Sequence, residues 1–405
     1  MIEAGYSYGE KFVTPRLLRV DRDGVHVVAT GSNGPWNGVD HAHGSFFVAE
    51  GGEKDGGRIL RIEPDGQTRA LIEHLPSFGD HHTDGPVVHE GFVYFGQGTA
   101  TNSGVVGEDS AQFGWLARKP DFHDVPCRDV TLAGVNFESK DREGQKVTTG
   151  AFLPLGQKSE KGQVIKGALP CNGAVMRIRI DGGPPELVAW GFRNPFGLAF
   201  SPDGHLYVTD NGFDVRGSRP VWGAADLLWE VQTDTWYGWP DFVGGEPIDK
   251  KRFAVPGKSP PSALLANAPS TPPLPRAWFG VHSSSNGLDF SRNATFGHQG
   301  QAFVAQFGDM AAAAGKVLGP VGFKVVRVDP HDGVITDFAV NEGDENGPAS
   351  KLGRQGLERP VACRFEPKGL ALYVVDFGVM SFGEKGPMPK EGTGVLWKIT
   401  REGAS

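Results

Sequence analysis

The residues best suited to proton transfer are two adjacent histidines, His81 and His82, in the segment DHHTDGPVV. A neutral imidazole is the usual general base near neutral pH. His82 directly precedes a β-forming run, and Arg193 precedes another strand in the same way. The pattern predicts His82 as a catalytic base. The alternative is a structural role, in which a histidine beside a strand caps it or lies at the surface, and for His81 this role is the commoner one.

Two arginines with similar placement predict an anion receptor. Arg193 and Asn194 lie before the apolar run of GFRNPFGLAF, and Arg359 precedes the run PVACRF. A guanidinium can donate two parallel hydrogen bonds to one carboxylate, so two of them suit a multiply anionic ligand. The alternative is that both arginines tie neighbouring strands together through carbonyls or carboxylates.

Acidic residues follow other strands. Glu50, Asp210 and Asp376 each end a β-rich run. Clustered carboxylates and carbonyls are ligands for hard cations such as Ca²⁺, so these three form a candidate metal site. The alternative is that each one caps a turn.

The stretch GFRNPFGLAFSPDGHLYVTDNG, residues 191–212, shows how such groups are positioned. An apolar run, a Pro-Asp-Gly turn and a β-rich return predict a hairpin. Because a hairpin brings its ends together, Arg193 and Asn194 should meet Asp210 and Asn211 at one edge.

This hairpin pattern recurs along the chain, which is typical of repeat architectures. Similar pairs occur at 44–50, 85–97, 197–210, 287–306 and 361–376, and partner pairs begin at 17–20, 59–62, 175–178, 325–328 and 395–398. Two hairpins in series make a four-stranded blade, and the repeats predict an all-β, six-bladed β-propeller forming one domain. Five blades look full and one, 17–31, is half a blade. Its missing strands could come from residues 1–16, from the C-terminus or from a segment that the chain has lost.

In such blades, strand entries and exits lie on one face and the Asp-Gly turns lie on the other. The entry face should therefore form a concave polar mouth, the default location for a binding site. The mouth would contain the candidate base, the arginines and the acidic residues, and with them His81, His282, Asn211 and Asp309.

Two connections are too long for plain turns, which is typical of lids or binding loops. Residues 98–172 contain Trp115, Phe122 and His123, which favours a packed lid, whereas the Pro-rich residues 240–282 favour an extended strap. Cys127 and Cys171 either bridge the insertion or stay reduced, and Cys363 is expected in the core.

Composition excludes several classes of function. The 405 residues include 59 glycines and 30 prolines, and the formal net charge of −8 argues against a nucleic-acid footprint. No run approaches the roughly 18 apolar residues of a membrane span, and the first residues lack a secretory signal. The expected partner is a small sugar or alcohol.

Several motifs together resemble the glucose/sorbosone dehydrogenase family. They are the hairpin of residues 191–212 and the segments WYGWPDF, GFKVVRVDPHDG and DHHTDGPVV; PCNGAVMRIRIDG, AWGFRNP and RGSRPV are similar to its sorbosone-dehydrogenase-like branch. The resemblance implies a propeller that uses pyrroloquinoline quinone (PQQ) with Ca²⁺. It also implies that His82 is the base and that Arg193, Asn194 and Arg359 hold the cofactor. Family members are commonly exported and pass electrons to an external acceptor such as a cytochrome or a quinone.

Chemistry independent of the resemblance agrees with this interpretation. Oxidising an alcohol requires a base and a hydride acceptor, and no amino acid accepts hydride, so a cofactor is required. The chain has no nucleotide-binding glycine fingerprint. The leading hypothesis is a quinoprotein that oxidises a sugar, sugar aldehyde or related alcohol. The alternatives are a calcium-dependent lactonase-like hydrolase and a non-catalytic carbohydrate- or protein-binding propeller.

Overall fold

The computed structural model describes residues 1–5, 13–52, 55–310, 319–383 and 386–401. These residues divide into two compact units, which are described separately. The first contains Met1–Pro195, Arg216–Trp222 and Gln232–Pro273, and the second contains Phe196–Val215, Gly223–Val231 and Leu274–Ser405.

The first unit contains three antiparallel sheets that are blades. Blade 1 has the strands Ile2–Glu3, Arg16–Asp21 and Gly24–Thr30. Blade 2 has Trp36–Ala42, Ser45–Glu50, Gly57–Ile62 and Thr68–Leu75. Blade 3 has Thr83–His89, Phe92–Gln97, Ala174–Arg179 and Glu186–Trp190.

The second unit has three sheets of the same kind. Blade 4 has Pro195–Phe200, Leu206–Asp210, Ala225–Glu230 and Ala277–Val281. Blade 5 has Ser285–Phe290, Ala302–Gln306, Lys324–Val328 and Ile335–Ala339. Blade 6 has Pro360–Phe365, Ala371–Asp376 and Val395–Thr400.

The prediction of an all-β, six-bladed β-propeller is confirmed. Each of the five predicted hairpins is an antiparallel pair of strands. Residues 1–16 supply a short strand of the half-blade, since Ile2 pairs with Leu17. Residues 6–12 lie outside the described part of the chain. So do residues 402–405, which include Gly403, the glycine that follows the last partner pair at 395–398.

The prediction of five full blades was wrong in detail. Blade 6 has three strands among the described residues, and four strands are present in blades 2 to 5. The boundary of the Pro-rich loop was also wrong, because Ala277–Val281 is the last strand of blade 4 and pairs with Ala225–Glu230. A long connection separates these two strands, so no local turn marks their pairing.

The blades pack through buried apolar side chains within each unit. Phe47 and Ile59 of blade 2 form one core cluster with Phe95 and Met176 of blade 3. In the second unit, Leu228 of blade 4 packs in a cluster with blade 5 residues such as Phe290 and Val326. Successive side chains along a strand point to opposite faces of its sheet, and these clusters fill the space between neighbouring blades of one unit.

The insertion at 98–172 is packed, as Trp115 and Phe122 indicated. Its short helices are α1 (Glu108–Gln112) and α2 (Trp115–Arg118). Its strand pairs are Val130–Thr131 with Val164–Ile165 and Asn136–Lys140 with Lys146–Gly150. Leu116 and Phe122 form a small core with Ala100 and Val106. Cys127 and Cys171 form a disulfide, which resolves the alternative left open by the sequence, and Cys363 is a buried free thiol.

The remaining connections contain little regular structure. The Pro-rich loop has a strand pair, Phe242–Val243 with Glu246–Pro247, and a 3₁₀ helix at Lys251–Phe253. A pair of strands, Met380–Gly383 and Gly386–Pro389, lies between the last two strands of blade 6. None of the described helices is long and apolar enough to cross a membrane.

Candidate functional site

His82 lies immediately before the first strand of blade 3, as predicted. Its Nδ1 is 3.0 Å from the carbonyl oxygen of Ser77. A carbonyl oxygen can only accept a hydrogen bond, so the neutral ring carries its proton on Nδ1 and the lone pair on Nε2. Ser77 is itself held, because its hydroxyl accepts a hydrogen bond of 2.9 Å from the Thr83 N–H. The backbone thus orients His82 as a proton acceptor through Nε2.

His81 is tied to the start of the insertion. Its backbone N–H donates to the carbonyl of Thr99 at 3.1 Å, and its Nδ1 lies 3.2 Å from the same oxygen. The imidazole Nδ1 is also 3.8 Å from a carboxylate oxygen of Asp80. Both histidines thus have Nδ1 against a backbone carbonyl oxygen, and His81 differs in that it ties the segment to the insertion and lies beside Asp80.

Arg193 is buried and already bonded to protein groups. The side chain is 4% exposed. Its Nε donates to the carbonyl oxygen of Asn102 at 3.1 Å, and its Nη2 donates to Asn102 Oδ1 at 3.0 Å and to Asp80 at 3.3 Å. Arg193, which was predicted to be part of an anion receptor, thus also joins the end of blade 3 to the insertion.

Asn194 lies close to the histidine segment in the first unit. A Cβ atom on Gly98 would be 2.3 Å from the His81 Cβ and 2.9 Å from Asn194 Oδ1. Only a glycine leaves room for this approach. His81 and Asn194 therefore both lie against the backbone of Gly98.

A buried ion network supports the segment that contains His81 and His82, and no sequence motif predicts this network. Arg216 donates to Asp109 of α1 at 2.7 Å and also forms an ion pair with Asp80. Burial opposes ionisation of Asp80, but Arg216, His81 and Arg193 outweigh it and hold its pKa below the usual range. Burial raises the pKa of Asp109 in spite of Arg216. Asp80 and Arg216 lie in DHHTDGPVV and RGSRPV, but nothing in either motif shows that they meet.

Asp84 is a second buried carboxyl near the proposed base. Burial raises its pKa well above the usual range, although Asn37 donates to it. Its Oδ2 has no hydrogen-bond partner in the described part of the chain. The strands here are unusually close, since a Cβ on Gly38 would lie 1.4 Å from the Gly85 carbonyl oxygen.

Asp124 joins a later part of the insertion to its first residues, Ala100 and Thr101. Its carboxylate accepts hydrogen bonds from the Ala100 N–H at 2.6 Å and from the Thr101 hydroxyl. Burial raises the pKa of Asp124 to about 7, against the opposing effect of these donors. The contact between Asp124 and residues 100–101 is therefore sensitive to protonation near neutral pH.

The three predicted metal ligands are bonded to protein donors. Glu50 accepts from Arg58 Nη2 at 3.1 Å and from the Trp36 indole at 3.2 Å. Asp210 accepts from the Trp229 indole at 3.3 Å, and Asp376 accepts from the Arg359 N–H at 2.8 Å. No group of three or more His, Cys, Asp or Glu residues suited to a metal ion occurs among the described residues.

In the second unit, Arg359 is enclosed by aromatic rings and carbonyls. It is 1% exposed, and its Nη1 donates to the carbonyl oxygen of Asp309 at 3.1 Å. Its guanidinium carbon lies 4.9 Å from the ring centroid of Phe307 and 5.0 Å from that of Phe323. Cation–π contacts and backbone carbonyls thus compensate its charge.

The other predicted mouth residues of this unit lie at strand ends. His282 follows the last strand of blade 4, is buried, and has Nδ1 3.6 Å from Asp214. Its Nε2 has no hydrogen-bond partner within the described ranges. Asn211 donates to the carbonyl of Ser285 at 3.0 Å, and Asp309 accepts from the Val321 N–H at 3.1 Å.

Comparison with known proteins shows similarity of fold. No protein-family model and no curated protein matches the chain. The PQQ domain of pyranose dehydrogenase from Coprinopsis cinerea, in its holo form, is similar with a TM-score of 0.51 and 13% identity over 97% of this chain and 88% of that one. A glucose dehydrogenase is similar with a TM-score of 0.51 and 16% identity over 99% of both chains. A Trichoderma reesei carbohydrate-active enzyme of family AA12, solved with calcium, has a TM-score of 0.50 and 15% identity over 90% of this chain and 84% of that one.

Proposed function

We propose that this chain is a sugar dehydrogenase that uses PQQ and in which His82 is the general base. The observation that carries the proposal is the hydrogen bond from His82 Nδ1 to the Ser77 carbonyl, which sets the tautomer with the ring proton on Nδ1 and the basic lone pair on Nε2. The similarity of fold to a glucose dehydrogenase and to the PQQ domain of a pyranose dehydrogenase supports the choice of substrate and cofactor.

The donor set of the first unit fits a quinone cofactor. PQQ presents quinone oxygens and carboxylates, which require N–H donors or positive charge. His82 and Asn194 provide imidazole and amide groups, and the guanidinium groups of Arg193 and Arg216 lie beside Asp80, with which both form ion pairs. Asn194 would hold the cofactor, and the role of Arg193 toward it stays a prediction, because its Nε and Nη2 donate to Asn102 and Asp80. The role of Arg359 toward it stays a prediction, because its guanidinium contacts carbonyls and phenylalanine rings.

The residues predicted for calcium do not fit a metal site, since Glu50, Asp210 and Asp376 all accept hydrogen bonds from protein groups. The same bonds disfavour the hydrolase alternative, which would need these carboxylates around a metal. The geometry therefore favours a reaction based on His82.

In the proposed reaction, the substrate hydroxyl donates its proton to Nε2 of His82. The resulting imidazolium is stabilised by its Nδ1–H bond to the Ser77 carbonyl, which strengthens when the ring is positively charged. The bound quinone would supply the hydride-accepting chemistry that amino acids lack. After the reaction His82 must release its proton before the next cycle.

Reconstitution tests the proposal. The purified protein is incubated with PQQ and Ca²⁺, and reduction of a redox dye is followed with a panel of aldoses, with omission of PQQ as the control. We expect the absorbance of bound PQQ and sugar-dependent dye reduction. Absence of both would refute the proposed function.

A further inference from the structure

The Ser77 carbonyl that orients His82 belongs to a segment that is held from several sides. Ser77 is fully buried, its N–H donates to the Leu75 carbonyl oxygen at 2.8 Å, and its hydroxyl accepts from the Thr83 N–H. The peptide group between Pro76 and Ser77 is planar, so the direction of the Pro76 carbonyl fixes one side of Ser77. Groups that hold the Pro76 carbonyl therefore also help to hold the acceptor of His82.

Two buried amide side chains donate to the Pro76 carbonyl. Asn172, the last residue of the insertion, donates through Nδ2 at 2.7 Å and is 4% exposed. Gln97, at the end of a blade 3 strand, donates through Nε2 at 3.1 Å. The shorter of the two hydrogen bonds therefore comes from the insertion.

Asn172 also reaches His82 by a second route. Its Nδ2 donates to the carbonyl oxygen of Gly98 at 3.0 Å, and the Gly98 N–H donates to the His82 carbonyl oxygen at 2.9 Å. Gly98 and Asn172 are the two ends of the insertion. One amide thus holds a carbonyl next to the acceptor of the His82 ring and another next to the His82 backbone.

The insertion fixes Asn172 in turn. Its backbone N–H donates to the Val125 carbonyl oxygen at 2.9 Å, and its Oδ1 accepts from the Val125 N–H at 3.0 Å. The preceding residue, Cys171, is joined to Cys127 by the disulfide. The side chain has one suitable orientation, because a flipped amide would place Oδ1 against two carbonyl oxygens.

We propose that Asn172 is a positioning residue for His82. By holding the carbonyls of Pro76 and Gly98, it keeps the His82 ring proton on Nδ1 and the lone pair on Nε2. The consequence for catalysis rests on the proposed function. Without a fixed acceptor at Nδ1 the neutral ring shares its proton between the two nitrogens, and a ring protonated at Nε2 has no lone pair there to accept a proton.

The first measurement does not depend on catalysis. Heteronuclear NMR of the histidine side chains, in the protein without PQQ and at a pH where the rings are neutral, gives the fraction of each ring that is protonated at Nδ1. The His82 signals are those missing from His82→Gln. We expect His82 to be protonated mainly at Nδ1 in the wild type, and this fraction should fall to about half in Asn172→Ala.

The second measurement is the steady-state kinetics of the PQQ-loaded protein with its best aldose. We expect kcat to fall at least about tenfold in Asn172→Ala, because a displaced base slows the step in which it takes the proton. KM should change less than kcat, since Asn172 is not proposed to contact the substrate.

Asn136 provides a matched control. Its amide donates to the carbonyl oxygens of Gly134 at 3.2 Å and Ser159 at 2.9 Å and accepts from the Ser159 N–H at 2.8 Å, all within the insertion. Asn136→Ala thus removes the same kinds of hydrogen bond at a site that does not hold the His82 segment. It should leave the His82 tautomer and kcat unchanged.

A second substitution covers the case in which Asn172→Ala does not fold. Asn172→Asp keeps the size of the side chain and the acceptor for the Val125 N–H, but it can donate at most one hydrogen bond. It should lower the Nδ1-protonated fraction and kcat in the same direction, by less than the alanine substitution. Melting curves establish which variants are folded.

The outcomes separate this inference from the proposed function. A folded Asn172 variant in which His82 keeps its wild-type tautomer would overturn the inference, and so would an equal change in Asn136→Ala. If no sugar is oxidised, the proposed function fails, and NMR still decides the role of Asn172. A changed tautomer with unchanged kcat would support the positioning role and contradict the assignment of His82 as the base.

Discussion

At the scale of single residues, the candidate site depends on charged side chains that are largely buried. Asp80 contacts Arg193 and Arg216, and Arg216 also contacts Asp109 of α1. These side chains are about nine-tenths buried, so each charge depends on its partners for compensation. The network joins the His81–His82 segment to the insertion.

Removing one member of this network should be costly. Arg216→Met leaves Asp80 with one arginine fewer, and breaking a buried pair typically costs about 3–5 kcal/mol. We expect a loss of about 3 kcal/mol in the free energy of unfolding, measured with urea. Arg128→Met is the matched control, because its pair with Asp234 is exposed and should contribute less than about 1 kcal/mol. Equal losses in the two variants would show that the buried network does not support the fold.

Asp124 should make stability depend on pH. Its pKa is raised to about 7 in the folded protein by burial, so the folded state binds this proton more tightly than the unfolded state. The stabilisation is complete below about pH 4 and is lost as the pH rises through about 7. Urea unfolding at several pH values should show stability falling over this range in the wild type and falling less steeply in Asp124→Asn. Identical slopes would exclude Asp124 as the source.

The sequence indicated His82 because it precedes a strand in the same way as Arg193 and because a neutral imidazole is the usual general base near neutral pH. Asp80, Arg216 and Asp124 were not identified, because their partners lie far along the chain. Asp80 and Arg193 are separated by 113 residues, and only the fold shows that they meet. The burial that shifts the pKa of Asp80 and Asp124 is likewise a tertiary property.

At the scale of elements, the hairpins were predictable because each has a local turn between two β-forming runs. The strand pair Ala225–Glu230 and Ala277–Val281 was not, since a connection of more than 40 residues replaces the turn. The insertion was recognisable as packed from its aromatic residues. Its disulfide could be stated only as an alternative, because spacing does not show which cysteines are close.

The disulfide should stabilise the insertion. Cys127 and Cys171 are 44 residues apart, and closing a loop of that length is worth about 4 kcal/mol in a chain-entropy model. Cys127→Ser/Cys171→Ser should lower the urea midpoint, and dithiothreitol should lower the wild-type midpoint to a similar value. Dithiothreitol should have no further effect on the double variant. A wild type that keeps its midpoint after full reduction, shown by thiol titration, would contradict this expectation.

At the scale of the whole molecule, repetition made the fold class predictable, since six similar units leave few architectures other than a propeller. The formal net charge of −8 argued against nucleic-acid binding. The substrate was beyond the sequence, because specificity is expected to depend on the two long connections, and their conformation cannot be predicted from local patterns.

In the proposed reaction, His82 removes the proton of a bound sugar hydroxyl. The most direct test is the kcat of the PQQ-loaded protein with its best aldose, compared among wild type, His82→Ala and His89→Ala. His89 ends the strand that follows His82 and serves as the control. We expect a loss on the order of 100-fold or more in His82→Ala, with the melting temperature retained, and wild-type turnover in His89→Ala. Unchanged turnover in His82→Ala would contradict the account.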